Sequence, residues 1–211
     1  MDQKTMSKGA LAIALSKLDV FPEAKVRVEQ YPTDPEVAAE VLWDAHIAGD
    51  MENKAILDLG AGTGILGLGC LLLGARKVTF IDADQAALAI AEKNYAKLKS
   101  EISGKAAFVA MDIHKFQEAA DVVVENPPFG TKTKHADREF LEKAFTLAPV
   151  IYTFHKASTS AFINQLATQR GFNVEKTQRF AFPLKRTMPF HAKNIKRISV
   201  DCFRLRKPQR F

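Results

Sequence analysis

At 211 residues, with 47% hydrophobic and 26% charged side chains, the chain suits one globular domain with a sizeable core rather than a disordered or fibrous segment. Its first ten residues are polar, unlike a signal peptide, no apolar run approaches the ~18 residues of a bilayer span, and Cys70 and Cys202 lie apart without metal-ligand spacing. The formal net charge of +6 is unevenly placed: residues 176–211 hold eleven Lys and Arg against Asp201 alone, so this segment carries +10 and the rest −4.

Those features predict a cytoplasmic protein (a nuclear one is the other option in a eukaryote), with buried thiols, no metal and no membrane. The basic residues of the final sixth interleave with Phe180, Phe182, Phe190 and Phe203. That mixture points to a polyanion, with nucleic acid favoured over a merely solvated face.

In chain order, Ser7 can cap a helix whose apolar positions run from Leu11 to Leu18. An irregular stretch follows through Glu29-Gln30-Tyr31-Pro32-Thr33. Thr33 or Asp34 then caps, and Pro35 opens, a helix to about Ile47. From Lys54 the period changes. Ala55 to Leu59 reads as a strand running into Gly60-Ala61-Gly62-Thr63-Gly64, with a helix from about Ile65 to Leu73. Lys77 to Ile81 is a second strand, closed by Asp82, and Asp84 caps a helix through Leu98. Ala106 to Ala110 and Asp121 to Glu125 are further strands. Ala136 to Leu147 is a helix, Val150 to Phe154 a strand, and Ser158 to Gln169 a helix. The stretches from Phe172 to Phe182 and from Ile195 to Leu205 read as an antiparallel pair. Strands alternating with helices imply a Rossmann-like α/β fold: a seven-stranded, mostly parallel sheet with one antiparallel strand in its edge region and helices on both faces. Residues 1–211 form one domain, in which 1–50 close over the cleft and 172–211 supply the basic strand pair.

Ligands of such sheets bind beyond the carboxyl ends of the strands. Gly60, Gly62 and Gly64 leave room for a ligand against the backbone, Asp82 can accept both hydroxyls of a ribose, and Asp112 can accept from an adenine amino group. Gly62 to Gly67 also satisfies the dinucleotide pattern. Asp58 argues against it, because a carboxylate entering the loop repels a pyrophosphate yet suits the cationic amino-acid end of S-adenosylmethionine. The fourth strand ends in Asn126-Pro127-Pro128-Phe129-Gly130. Two prolines stop the ladder and fix two φ angles, holding an amide and an aromatic ring in a set relation, as binding of a flat ring with an amino group requires.

The glycine loop together with Asn126-Pro127-Pro128-Phe129 resembles the class I methyltransferases that modify planar amino groups. Glu29 to Thr33, Asn126 to Lys132, Phe154-His155-Lys156 and Phe190-His191 narrow the likeness to the small ribosomal-RNA N6-adenine methyltransferases of the methyltransferase-like five group. It extends from about Leu11 to Leu205. The resemblance implies S-adenosyl-L-methionine as cofactor, with Gln30 and Thr33 helping to enclose it. Asp58, Gly60, Gly62, Gly64, Asp82, Ala83, Asp112, Ile113 and Asn126 complete the expected cofactor set. The reaction it implies is N6-methylation of an adenine in small-subunit ribosomal RNA. Asn126 and the Pro127 carbonyl would accept the two amino hydrogens, Pro128 would hold the loop, and Phe129 would stack on the flipped base. Lys132, Lys134, His155, Lys156, Phe190, His191 and Lys193 are the expected RNA contacts. A small zinc-binding activator subunit is the implied partner. Glutamine or guanine-N2 methylation and a non-catalytic RNA-binding scaffold are the alternatives.

Overall fold

The structure is a computed structural model that describes residues 6–21, 33–129, 136–183 and 197–208. Its helices are α1 (Lys8–Ser16), α2 (Pro35–Ile47), α3 (Ile65–Leu72), α4 (Gln85–Leu98), α5 (Ala136–Leu147) and α6 (Ser160–Gln169). Its strands are β1 (Ala55–Leu59), β2 (Lys77–Asp82), β3 (Lys105–Ala110), β4 (Val122–Glu125), β5 (Val150–Lys156), β6 (Asn173–Pro183) and β7 (Arg197–Arg206). The expected caps form. Ser7 accepts the Ala10 N–H at 3.2 Å, Asp34 that of Glu36 at 2.9 Å, and Asp84 that of Ala86 at 2.9 Å.

The sheet has the order β3-β2-β1-β4-β5-β7-β6. β1 to β5 pair in parallel, and β7 runs antiparallel between β5 and β6. From β1 the chain steps outward to β2 and β3, then returns to the other side of β1 for β4 and β5. The reversal opens a crevice at the carboxyl ends of β1 and β4, where such sheets take their ligands. β5 runs to Lys156, two residues past the expected end, because β7 pairs with it as far as Lys156↔Val200. Among the described residues no helix is long and apolar enough to cross a membrane.

Two hydrophobic clusters sandwich the sheet. Val122 and Val124 join one with residues of α1, α2 and α3; Val123 joins the other with residues of α5 and α6. That alternation is why β4 has no polar face: each side chain is covered by a helix layer. Gly67 sets how closely α3 approaches the sheet. A Cβ there would lie 2.3 Å from Phe80 Cε1 and 2.9 Å from Asp58 Oδ2. Gly67→Ala is therefore expected to destabilise the fold by about 1–3 kcal/mol, the usual cost of overpacking. Urea unfolding measures it, and an unchanged midpoint would show that α3 shifts freely.

Candidate active site at the carboxyl ends of β1, β2 and β4

A cleft of about 310 Å³ lies over the switch point. Thr33, Asp58, Gly60, Gly62, Asp82, Ala83, Asp112, Ile113, Asn126 and Pro128 of the expected set all line it. Gly60 and Gly62 have φ of 68° and 55°, a left-handed backbone that favours glycine. Around Gly62 nothing but the Gly60 carbonyl oxygen, 4.0 Å away, would meet a Cβ, so the backbone there is open to a ligand. Gly64 does a different job from the one expected. It also has positive φ, but its missing Cβ makes room for Ala91 of α4 at 3.0 Å, and it does not line the cleft.

The acids are held by backbone donors. Asp82 Oδ2 accepts the Gly62 N–H and Oδ1 the Asp84 N–H, each at 2.8 Å. Burial pushes the Asp82 carboxyl up from its ordinary range against the pull of these N–H groups. Asp58 is almost fully buried, and its Oδ2 accepts the Gly67 N–H at 2.8 Å. Burial, offset in part by that bond and aided by nearby Asp82, raises its pKa to about 7. Asp112 caps a 3₁₀ turn by accepting the His114 N–H at 2.9 Å and stands beside the buried Ile113. On the opposite side, Asn126 Nδ2 donates to Thr33 Oγ1 at 3.0 Å, so the segment before α2 is tied to the loop after β4. Gln30 lies outside the described residues.

Two aromatic rings in the cleft escaped the sequence reading, Phe21 and Phe140. Phe140 of α5 leans over the glycine loop, 2.8 Å from where a Gly60 Cβ would be. Phe21 follows a segment fastened by Asn94, a fully buried residue of α4. Asn94 Nδ2 donates to the carbonyls of Asp19 and Thr63, both at 3.0 Å, and Asn94 Oδ1 accepts the Asp19 N–H at 2.8 Å. One amide thus ties the N-terminal segment to the glycine loop. Its only trace in the sequence was a polar residue in the apolar rhythm of α4.

Phe129 differs from expectation. Its ring is 4% exposed and packs in the cluster with Val124 and Phe154, so it anchors the loop rather than facing the cleft. Pro127 is buried beside it. His155, expected at the RNA surface, is fully buried: β5 continues past it, and its ring packs edge-on to Phe203, centroids 6.1 Å apart. Lys156 is half-buried at the end of β5. Lys132, Lys134, Phe190, His191 and Lys193 lie outside the described residues.

The basic C-terminal segment is also partly corrected. Arg204 and Arg206 bind buried Asp50, with closest approaches of 2.8 Å and 2.6 Å, and Asp50 also accepts from the Tyr152 hydroxyl at 2.7 Å. Arg179 grips buried Asp201 through two bonds of 2.7 and 2.9 Å, and Lys176 reaches Asp44 at 2.6 Å. Of the +10 that composition assigns to this segment, these four charges are committed to acids within the fold.

Under the cleft floor, Glu125 precedes Asn126 and is fully buried. Thr153 Oγ1 lies 2.8 Å from Glu125 Oε1 and 2.8 Å from His155 Nε2. His155 Nδ1 faces Asp137 Oδ2 of α5 at 3.9 Å. Burial pushes the Glu125 pKa up to about 8 and the His155 pKa down, while the contact with His155 holds that of Asp137 down.

A glycine loop after β1, a carboxylate closing β2 and an amide closing β4, set on this strand order, define a Rossmann-like methyltransferase. Residues 36–149 match the methyltransferase small domain family, to which the chain belongs. It is similar to proteins named rRNA N(6)-adenosine-methyltransferase: one from Danio rerio is 33% identical, the match covering 92% of this chain and 96% of the relative, and one from Drosophila melanogaster is 31% identical, covering 90% and 92%. A crystal structure of a candidate RNA methyltransferase from Pyrococcus horikoshii is 40% identical and superposes with a TM-score of 0.84, covering 95% of this chain and 98% of that one. The chain is a methyltransferase, and S-adenosylmethionine is its expected cofactor. The open backbone at Gly62 and the carboxylate of Asp82 fit that molecule.

Proposed function

We propose that this protein methylates the N6 atom of an adenine in small-subunit ribosomal RNA. The observation that carries the reading is the position of Asn126, at the switch point and across the cleft from Asp82, with its amide nitrogen turned to Thr33. An exocyclic adenine nitrogen is a poor nucleophile because its lone pair is delocalised into the ring. With the Asn126 nitrogen engaged by Thr33, its oxygen would accept one amino hydrogen, and the Pro127 carbonyl the other. Both bonds strengthen as the nitrogen becomes pyramidal and positive, so they favour the transition state over the ground state. The bound cofactor would supply an electrophilic sulfonium methyl group. Asp82 would accept from its ribose hydroxyls, Asp112 from its adenine amino group, and Asp58 would face its ammonium end. No general base is needed, since the methylated ammonium is acidic enough to lose its proton to water.

The supporting relatives carry adenosine in their names, which favours adenine over glutamine or guanine. Lys132, Lys134, Phe190, His191 and Lys193 are proposed RNA contacts, and the zinc-binding activator subunit implied by the resemblance is the proposed protein partner. The test is transfer of labelled methyl groups to purified small-subunit RNA, followed by mass spectrometry of its nucleosides. N6-methyladenosine is the expected product. Label appearing instead in N2-methylguanosine, or in protein glutamine, would replace this reading, and cofactor binding without transfer to any substrate would favour a scaffold.

A further inference from the structure

We propose that Glu125 is a positioning residue that carries a proton, whose O–H starts a one-way hydrogen-bond chain through Thr153 to His155, whose Nδ1 in turn faces Asp137 at 3.9 Å, and so orients the Asn126 loop relative to α5. The proposal rests on the role given above to that loop. Leu59, Glu125 and Thr153 stand side by side across β1, β4 and β5, so the carboxyl sits in the sheet's interior. Glu125, Thr153 and His155 are all fully buried, and Glu125 Oε2 has no hydrogen-bond partner. Among the described residues no ion pair reaches Glu125.

Counting hydrogens leaves two directions, and desolvation chooses between them. The Thr153 hydroxyl has one hydrogen and two partners, each at 2.8 Å, so one of them must donate to it. Two arrangements contain the same number of protons. In one, ionised Glu125 accepts from Thr153, which accepts from a charged His155. In the other, neutral Glu125 donates to Thr153, which donates to Nε2 of a neutral His155, leaving Nδ1–H directed at Asp137. The first puts two ions into fully buried sites, where desolvation outweighs their attraction across an intervening hydroxyl. The second leaves only Asp137 charged, and its side chain reaches solvent. Burial acts in the same sense on both groups, raising the Glu125 pKa and lowering that of His155.

The other charged groups near the chain do not alter this choice. Asp58 on β1 is an acid and raises the Glu125 pKa further. Asp201, opposite His155 on β7, is neutralised by Arg179 and accepts from Ser160. The hydrogen bonds therefore join the residue before Asn126 to His155, and the contact of His155 with Asp137 extends them toward the first turn of α5, the helix that also brings Phe140 into the cleft. Loss of the Glu125 proton would leave a buried anion and remove the donor that begins the chain.

The test follows the side-chain amide resonances of Asn126, identified by their absence from Asn126→Ala, and the rate of methyl transfer to small-subunit RNA, both as functions of pH. In the wild type the resonances are expected to shift with a midpoint near pH 8, and kcat to fall over the same range. Glu125→Gln, whose amide still donates to Thr153, is expected to abolish both pH dependences. Glu125→Leu, which cannot donate, is expected to lower kcat by roughly tenfold or more at pH 7 while the KM for S-adenosylmethionine changes little. Resonances that titrate in Glu125→Gln as in the wild type would place the titrating proton on another group, His155 or Asp58, and overturn the proposal. So would wild-type resonances that do not respond to pH. If no RNA adenine is methylated, the proposed function falls, and the amide titration still decides this inference.

Discussion

Asn126→Ala is expected to slow methyl transfer to RNA by about 10²–10³-fold, the usual cost of removing one preorganised group aimed at developing transition-state charge. The loss should fall on kcat. In the ground state the adenine amino group is planar and its hydrogens find water as readily as protein. The amide oxygen gains its advantage only as the nitrogen turns pyramidal. Affinity for S-adenosylmethionine should fall far less, by roughly tenfold at most, because the variant removes one neutral bond to Thr33 from the cleft wall. Asn126→Asp retains an accepting oxygen and should retain more activity than the alanine variant. Single-turnover transfer from labelled cofactor separates these effects, and a fully active Asn126→Ala enzyme would end the proposed mechanism.

The sequence exposed those parts of the site that depend on neighbouring residues in the chain. Gly60, Gly62 and Asp82 could be found because a strand, a tight turn and a helix N-terminus each constrain residue type locally, and all three line the cleft. Asn126 could be found because two prolines must end a strand. The mostly parallel sheet followed from alternation of strands and helices, since parallel strands need crossovers; their order did not. Groups brought together by the tertiary fold were hidden. Asn94 looks like any polar residue of a helix until Asp19 and Thr63, distant in sequence, meet its amide. Phe140 reads as an apolar helix position until α5 packs over Gly60.

Three expectations are corrected for a related reason: composition records a side chain's chemistry and not what it faces. Phe129 is the right kind of residue to stack on a base, but its ring is buried in the hydrophobic cluster that also holds Val124. The C-terminal arginines have the charge to bind a polyanion, yet Arg204 and Arg206 close on Asp50, contributed by the turn after α2. A basic count overstates a nucleic-acid surface whenever acids from another part of the chain fold beneath it. His155 shows the same effect in a single residue, because the extra length of β5 was set by its pairing with β7.

Asp82→Ala is expected to weaken S-adenosylmethionine binding by about 10²-fold or more. The carboxylate would lose two bonds to ribose hydroxyls, each worth roughly 1.5–3 kcal/mol when one partner is charged, and every 1.4 kcal/mol is a factor of ten in Kd. The glycine loop also suffers, since the Gly62 and Asp84 N–H groups lose their acceptor. Asp82→Asn should be only a partial rescue, because an amide offers one accepting oxygen where the loop presents two donors. Kd should rise in both variants, whereas kcat at saturating cofactor should stay within a few-fold of wild type, as Asp82 is placed to hold the ribose and not the transferred methyl group. Acidity adds a second signature. Burial raises the Asp82 pKa, so its ionised form is lost at a higher pH than that of an ordinary carboxylate. Wild-type affinity should therefore begin to decline earlier on acidification, and that decline should be absent from Asp82→Asn. Calorimetry with S-adenosylhomocysteine across pH measures both. A wild-type Kd that does not change on acidification, or an alanine variant that binds within threefold of wild type, would remove Asp82 from the cofactor site.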